Sequence, residues 1–146
     1  MWPICHTIPA LTGSTVWLEQ ASKSCPGTVE LLRTAKVKTA LFSRMKPGEK
    51  LQPHRGWADL SNHVLRCHIL VSPSARSTVT CGGEVREHEY GSLMVFDDSK
   101  LHHASNDGDT DRFVLIFDVE RPEGAGKGEA EEGYTEEVRG FVQRFK

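Results

Sequence analysis

The chain has no apolar run near the roughly 20 residues needed to cross a bilayer. Its opening, MWPICHTIPA, also lacks the basic start and apolar stretch of a secretory leader. These absences argue against a membrane span and against export, so a cytoplasmic protein is expected. Excess positive charge is missing too. The formal net charge is -2, which argues against a nucleic-acid footprint built on a basic face. None of the four cysteines, Cys5, Cys25, Cys67 and Cys81, forms a C-x-x-C pair, so a zinc knuckle or thioredoxin-type motif has no support. Free thiols are expected in place of disulfides, with Cys67 as a small core residue. No internal repeat is found. What remains is an ordinary globular composition, 38% hydrophobic and 26% charged over 146 residues, and one domain is expected to span 1–146.

CPGTVELLRTA, at 25–35, has Pro26 and Thr28 near its start, then Val29, Leu31 and Leu32, and reads as a short helix. After it the texture changes. VKTALFSRM, HVLRCHILV, RSTVTCG, GEVREHEY, SLMVFDD and RFVLIFDV are strand-length and rich in β-branched and apolar residues, separated by KPGE, SPSA, GG and NDGDTD. CGGE between two alternating runs is a hairpin signal. Many short strands with close turns point to an all-β barrel or sandwich, its core at about 25–122. The Gly- and Glu-rich segment 121–133 reads as a mobile linker. Residues 134–146 read as a terminal helix with Tyr134, Val138, Phe141, Val142 and Phe145 on one face.

His6, His63 and His88 stand alone and are read as ordinary, His88 on an exposed strand face with Arg86 and Tyr90. His54 and His102 differ, because each sits where a strand meets a turn. Two such histidines can converge on one metal from different strands, and imidazole suits iron, copper, zinc or nickel. Arg66 and His68 alternate with Leu65, Cys67 and Ile69, so they share a strand face. Arg112 opens a strongly apolar strand. A charge facing a barrel interior is costly unless paired. Either Arg66 and Arg112 pair with Asp97, Asp98 or Asp118, or they clamp an anionic ligand through the bidentate guanidinium fork.

Taken together, FSRMKPGEKLQPHRGW, VLRCHI, VFDDSKLHHASN, DRFVLIFDVERP and the upstream CPGTVELL resemble the aspartyl/asparaginyl β-hydroxylase family, from about Cys25 to Pro122. The resemblance implies a double-stranded β-helix, a jelly-roll and cupin-like all-β core, with a short N-terminal helix and a C-terminal helix. It implies an Fe(II)- and 2-oxoglutarate-dependent dioxygenase using O2, with His54 and His102 as catalytic iron ligands. Gly56 stands where related oxygenases carry a carboxylate ligand. By the same resemblance Arg112 and Ser43 bind a 2-oxoglutarate carboxylate, and Arg66 and His68 contact the cosubstrate near the iron. Asp97, Asp98 and Ser99 match a positioning turn. His103 departs from the family pattern and offers a slipped ligand assignment. The implied substrate is the β-carbon of an aspartyl or asparaginyl group, in a small amino-acid molecule or a protein, with no nucleic acid or membrane as partner. A cupin-like metal- or anion-binding module without oxygenase activity is the alternative.

Overall fold

The computed structural model describes residues 7–9, 15–17, 19–56, 58–73 and 76–131. Cys5, His6 and the expected terminal helix over 134–146 lie outside them. A two-stranded ladder of β1 (Thr7–Pro9) and β2 (Thr15–Trp17) comes first, followed by α1 (Glu19–Ser24) and α2 (Pro26–Thr34). Eight strands then make the body: β3 (Thr39–Met45), β4 (Lys50–His54), β5 (Val64–Leu70), β6 (Ser77–Cys81), β7 (Glu84–Glu87), β8 (Leu93–Phe96), β9 (His102–Asn106) and β10 (Arg112–Glu120). A one-turn helix, α3 (Ala58–Ser61), interrupts the path from β4 to β5.

The strands form two antiparallel sheets with orders β3-β10-β5-β8 and β4-β9-β6-β7. Along the chain they alternate between the sheets except at the β6–β7 hairpin, which is the winding of a double-stranded β-helix. That hairpin turns on Gly82 and Gly83, whose φ values of 57° and 86° are those a tight primed turn requires.

Strand alternation sorts the side chains. In β10, Arg112, Val114 and Asp118 are buried within the sandwich, while Leu115, Phe117 and Val119 pack outward onto Leu32, Val37 and Ala40. Pro26 starts α2 at a position where its missing N–H costs nothing, and buried Val29 and Leu32 attach the helix to the sheet. Inside the sandwich the apolar core is smaller: Met45, Val79 and Ala104, with Cys81, Met94 and Phe96 packed against them. The rest of the interior is polar, and the candidate site occupies it.

The sequence expectation fails at two places. Residues 121–131 are not a spacer detached from the body. Gly128 N donates to Asn62 O at 2.8 Å, and the Asn62 side chain exchanges hydrogen bonds with Ala130 N and O at 2.7 and 2.9 Å. Gly128 is there for closeness, since a Cβ on it would stand 2.5 Å from Ser99 Oγ. His88 is not exposed either; it is buried. Arg86 and Tyr90, grouped with it by alternation, are exposed. Arg86 lies opposite Val79 at the open rim, and His88 continues the ladder inward by donating its amide to Ser77 O at 2.8 Å.

Among the described cysteines Cys25, Cys67 and Cys81 are free thiols. No described helix is long and apolar enough to cross a membrane.

Candidate functional site

His54 ends β4 and His102 begins β9, and the two face each other across the ladder. Between Leu51 and His54 the register shifts. Pro53 lies in that interval and has no N–H to give the ladder, so the bulge re-aims His54 without breaking a bond. The ring centroids are 4.3 Å apart. His54 Nδ1 lies 2.8 Å from Gln52 O, and His102 Nδ1 lies 2.8 Å from Lys100 O. A carbonyl only accepts, so each Nδ1 carries a proton, and in the neutral ring that arrangement leaves the Nε2 lone pair for a metal. Oriented, singly protonated imidazoles of this kind are what a metal site needs. Burial pushes His102 down to about 4, against the pull of the Lys100 carbonyl and helped by His54 and Arg66. Its ring is therefore neutral at neutral pH. His103 alternates to the other face of β9, opposite Thr80, and is half-buried, though it still borders the cavity that His54 and His102 line.

Beside this pair stands a carboxyl that the sequence motif alone left as a turn element. Gly56 N donates to Asp98 O at 2.7 Å. A Cβ on Gly56 would stand 1.6 Å from Asp98 Oδ2 and 2.2 Å from its Cγ. The volume a side chain at 56 would need is thus filled from the β8–β9 turn. Asp98 Oδ1 lies 3.4 Å from His102 Nε2 and 2.6 Å from Arg66 Nη1. Burial raises the Asp98 carboxyl above its ordinary range; Arg66 pulls it down, and Asp118 and Asp97 push it up. The clue in the sequence was position: Asp98 sits one turn of chain before His102. Among the described residues no group of three or more His, Cys, Asp or Glu is placed to hold a metal ion, so the histidine pair is the donor set on offer.

The interior arginines part company. Arg66 binds Asp118 in a fork, Nε to Oδ1 at 2.9 Å and Nη2 to Oδ2 at 3.0 Å, and its Nη1 forms an ion pair with Asp98 Oδ1, an oxygen that is buried without a hydrogen bond. Thr39 Oγ1 also donates to Asp118. Burial works against the Arg66 charge, but the two acids outweigh it and raise its pKa. Arg112 is 2% exposed, gives Nη1 to Ser43 Oγ at 3.3 Å, and leaves Nε buried without a partner. Among the described residues it makes no ion pair. Burial pulls it down to about 10, with only Glu49 raising it. His68 leaves Nε2 unpartnered as well.

One cavity of about 120 Å³ collects Ser43, His54, Arg66, His68, His102 and Arg112, together with Phe96 and Glu49. Its size suits a small molecule rather than the several hundred Å³ of a larger ligand. A wider groove of about 530 Å³ runs between β7 and β8 and touches the cavity only through Val79 and Phe96.

Comparison with known proteins matches residues 7–122 to the Aspartyl/Asparaginyl beta-hydroxylase family. The ornithine lipid ester-linked acyl 2-hydroxylase of Rhizobium tropici is 34% identical over 116 residues, covering 77% of this chain and 40% of that protein. The aspartyl/asparaginyl beta-hydroxylase of Mus musculus is 35% identical over 112 residues, covering 72% of this chain and 15% of that protein. The chain thus spans less than half the length of these relatives. A cupin domain of an XRE-family transcriptional regulator from Enterobacter cloacae aligns with a TM-score of 0.47 at 16% identity, over 62% of this chain and 87% of that one.

Proposed function

This chain belongs to the aspartyl/asparaginyl beta-hydroxylase family, and we propose that it is an Fe(II)- and 2-oxoglutarate-dependent dioxygenase. Its reaction would hydroxylate a methylene adjacent to a carbonyl. One observation carries the reading: a single small cavity joins a pair of metal-competent histidines to a buried arginine that makes no ion pair among the described residues and leaves Nε without a partner. A diacid that chelates a metal at one end and meets a guanidinium at the other answers both needs.

The donor set fits the metal. His54 and His102 would hold Fe(II) through Nε2, each fixed by the carbonyl behind it. When bound, iron supplies the oxidising chemistry, in which 2-oxoglutarate and O2 give succinate, carbon dioxide and a hydroxylated carbon. The chain's own residues do the positioning. Arg112 and Ser43 would bind the far carboxylate of the cosubstrate, where a charge-assisted pair replaces an unpaired buried cation. His68 would donate to the cosubstrate at the cavity wall. Arg66, held by two carboxylates, keeps Asp98 seated over Gly56 and lines the cavity as a cation already paired.

The substrate class follows from what the relatives' names share. The β-carbon of an aspartyl or asparaginyl group lies next to its side-chain carbonyl, and position 2 of an ester-linked acyl group lies next to its ester carbonyl. Both are unactivated CH2 or CH positions α to a carbonyl. An aspartyl or asparaginyl group, free or in a peptide, is the first candidate.

Anaerobic titration with Fe(II) and then 2-oxoglutarate tests the reading. A weak visible charge-transfer band should appear, vanish in His102→Ala and persist in His103→Ala. Tight zinc or nickel binding with no band and no succinate formed would overturn it in favour of a cupin-like binding module.

A further inference from the structure

Behind His68, away from the cavity, lie two buried polar side chains that the proposed reaction does not use. His88 Nε2 is 3.1 Å from His68 Nδ1, and Ser77 Oγ is 2.7 Å from His88 Nδ1. The imidazole planes are 8° apart with centroids separated by 5.3 Å. With facing nitrogens this close, the rings are hydrogen-bonded edge to edge. Neither Ser77 nor His88 lines the cavity. Both are buried, and β6 and the ladder extension beyond β7 hold them. We propose that Ser77 and His88 are positioning residues that fix His68 as its Nε2–H tautomer, so that it offers a neutral N–H donor beside Arg112 to a carboxylate of the cosubstrate.

The direction of the relay follows from proton counting. A neutral imidazole has one N–H and one lone pair, so His88, bonded at both nitrogens, donates once and accepts once. Among the described residues the only hydrogen bond of the Ser77 hydroxyl is to His88. If Ser77 donates, its proton is used, His88 Nε2–H donates to His68 Nδ1, and the His68 proton must sit on Nε2. If the chain ran the other way, the Ser77 proton would be buried without an acceptor, at a cost of about 1–3 kcal/mol. A bare His68 Nε2 would then face the cavity and repel a carboxylate. Both rings are also kept neutral. Burial and then Arg112 lower His68 well below its ordinary value, and the same two causes bring His88 down to about 4 against the pull of the Ser77 backbone. A second cation is therefore not what His68 contributes; it contributes a directed donor.

The inference rests on the functional reading above only for the identity of the anion. Long-range proton–nitrogen NMR on metal-free protein labelled with 15N-histidine reads the tautomer directly at neutral pH. Wild type should show His68 protonated at Nε2, and Ser77→Ala and His88→Phe should move the population toward Nδ1. With Fe(II) present, His88→Phe should raise the KM for 2-oxoglutarate about tenfold, with kcat falling by less than KM rises. His88→Gln, whose amide still donates to His68, should restore KM to within about threefold of wild type. An Nδ1–H His68 in wild type would overturn the relay. So would unchanged 2-oxoglutarate affinity in a folded Ser77→Ala protein. If wild type binds no 2-oxoglutarate, the oxygenase reading falls, and the tautomer of His68 still decides the relay.

Discussion

Arg66 and Arg112 enter the same interior from neighbouring strands, and the fold treats them in opposite ways. Arg66 on β5 lies directly opposite Asp118 on β10 and reaches Asp98 as well, so one guanidinium meets two carboxyls. Arg112, at the start of β10, meets one hydroxyl and leaves a buried N–H unanswered. A buried cation paired within the protein is a structural element. One left unbalanced is a standing cost, and binding an anion would relieve it. The same residue type in the same cavity thus divides, by its neighbours, into a paired cation and an unpaired one, and on the proposed reading the unpaired one receives the anion.

Breaking the balanced side should have the largest effect. Arg66→Met leaves Asp98 and Asp118 buried with no cation between them, and should cost about 3–5 kcal/mol of stability in urea unfolding. Adding Asp118→Asn should recover part of that loss. Arg112→Met removes the unbalanced charge. Its stability should change by about 1 kcal/mol or less, in either direction, while 2-oxoglutarate affinity falls on the order of 100-fold, near 3 kcal/mol. If Arg112→Met unfolds the protein as severely as Arg66→Met, the contrast is lost and both arginines are structural.

Gly56 probes the balanced side without touching a charge. Its neighbour is the Asp98 carboxyl, and Gly56→Ala would place a methyl within 1.6 Å of Asp98 Oδ2. Either the strand end or the carboxyl must yield, at roughly 2 kcal/mol, a usual cost of overpacking. Because Asp98 bridges toward both Arg66 and His102, metal affinity should fall along with stability. Gly56→Ala that retains full stability and metal affinity would show that Asp98 is not confined there.

Much of this arrangement could be read from the sequence, where local spacing carried the information. Arg66 and His68 share a face by alternation, and the strand-end placement of His54 and His102 singled out the pair. What escaped was long-range partnering. Nothing local distinguishes Arg66 from Arg112, because Asp118 is set opposite Arg66 only by the β5–β10 register. Asp98 reads as a turn residue until the turn is folded against Gly56. His88 reads as exposed beside Arg86 and Tyr90, and it is buried because the chain beyond β7 carries it against Ser77. Residues 121–131 have the composition of a linker, yet Asn62, far away in the chain, holds Gly128 and Ala130 against the body.

The unbalanced charge should also be felt at a distance, as acid sensitivity. After burial, Arg112 is the next cause lowering both His68 and His88, whereas Arg66 acts only on His68, and more weakly. His88 falls from 6.5 to about 4. Between those two values the unfolded chain binds a proton at His88 that the folded chain refuses. Stability is therefore full above about pH 6.5 and declines as pH drops toward 4, by roughly 2–3 kcal/mol from His88 alone. In metal-free Arg112→Met the His88 pKa should rise toward its ordinary value, and this acid loss should shrink by about 1 kcal/mol. Thermal or urea unfolding at pH 7, 5.5 and 4.5 would show it as a flatter profile than wild type, while His88→Phe should remove the His88 share altogether. A profile for Arg112→Met that runs parallel to wild type would mean that Asp or Glu side chains already offset the Arg112 charge, and the cavity would then have no need of an anion.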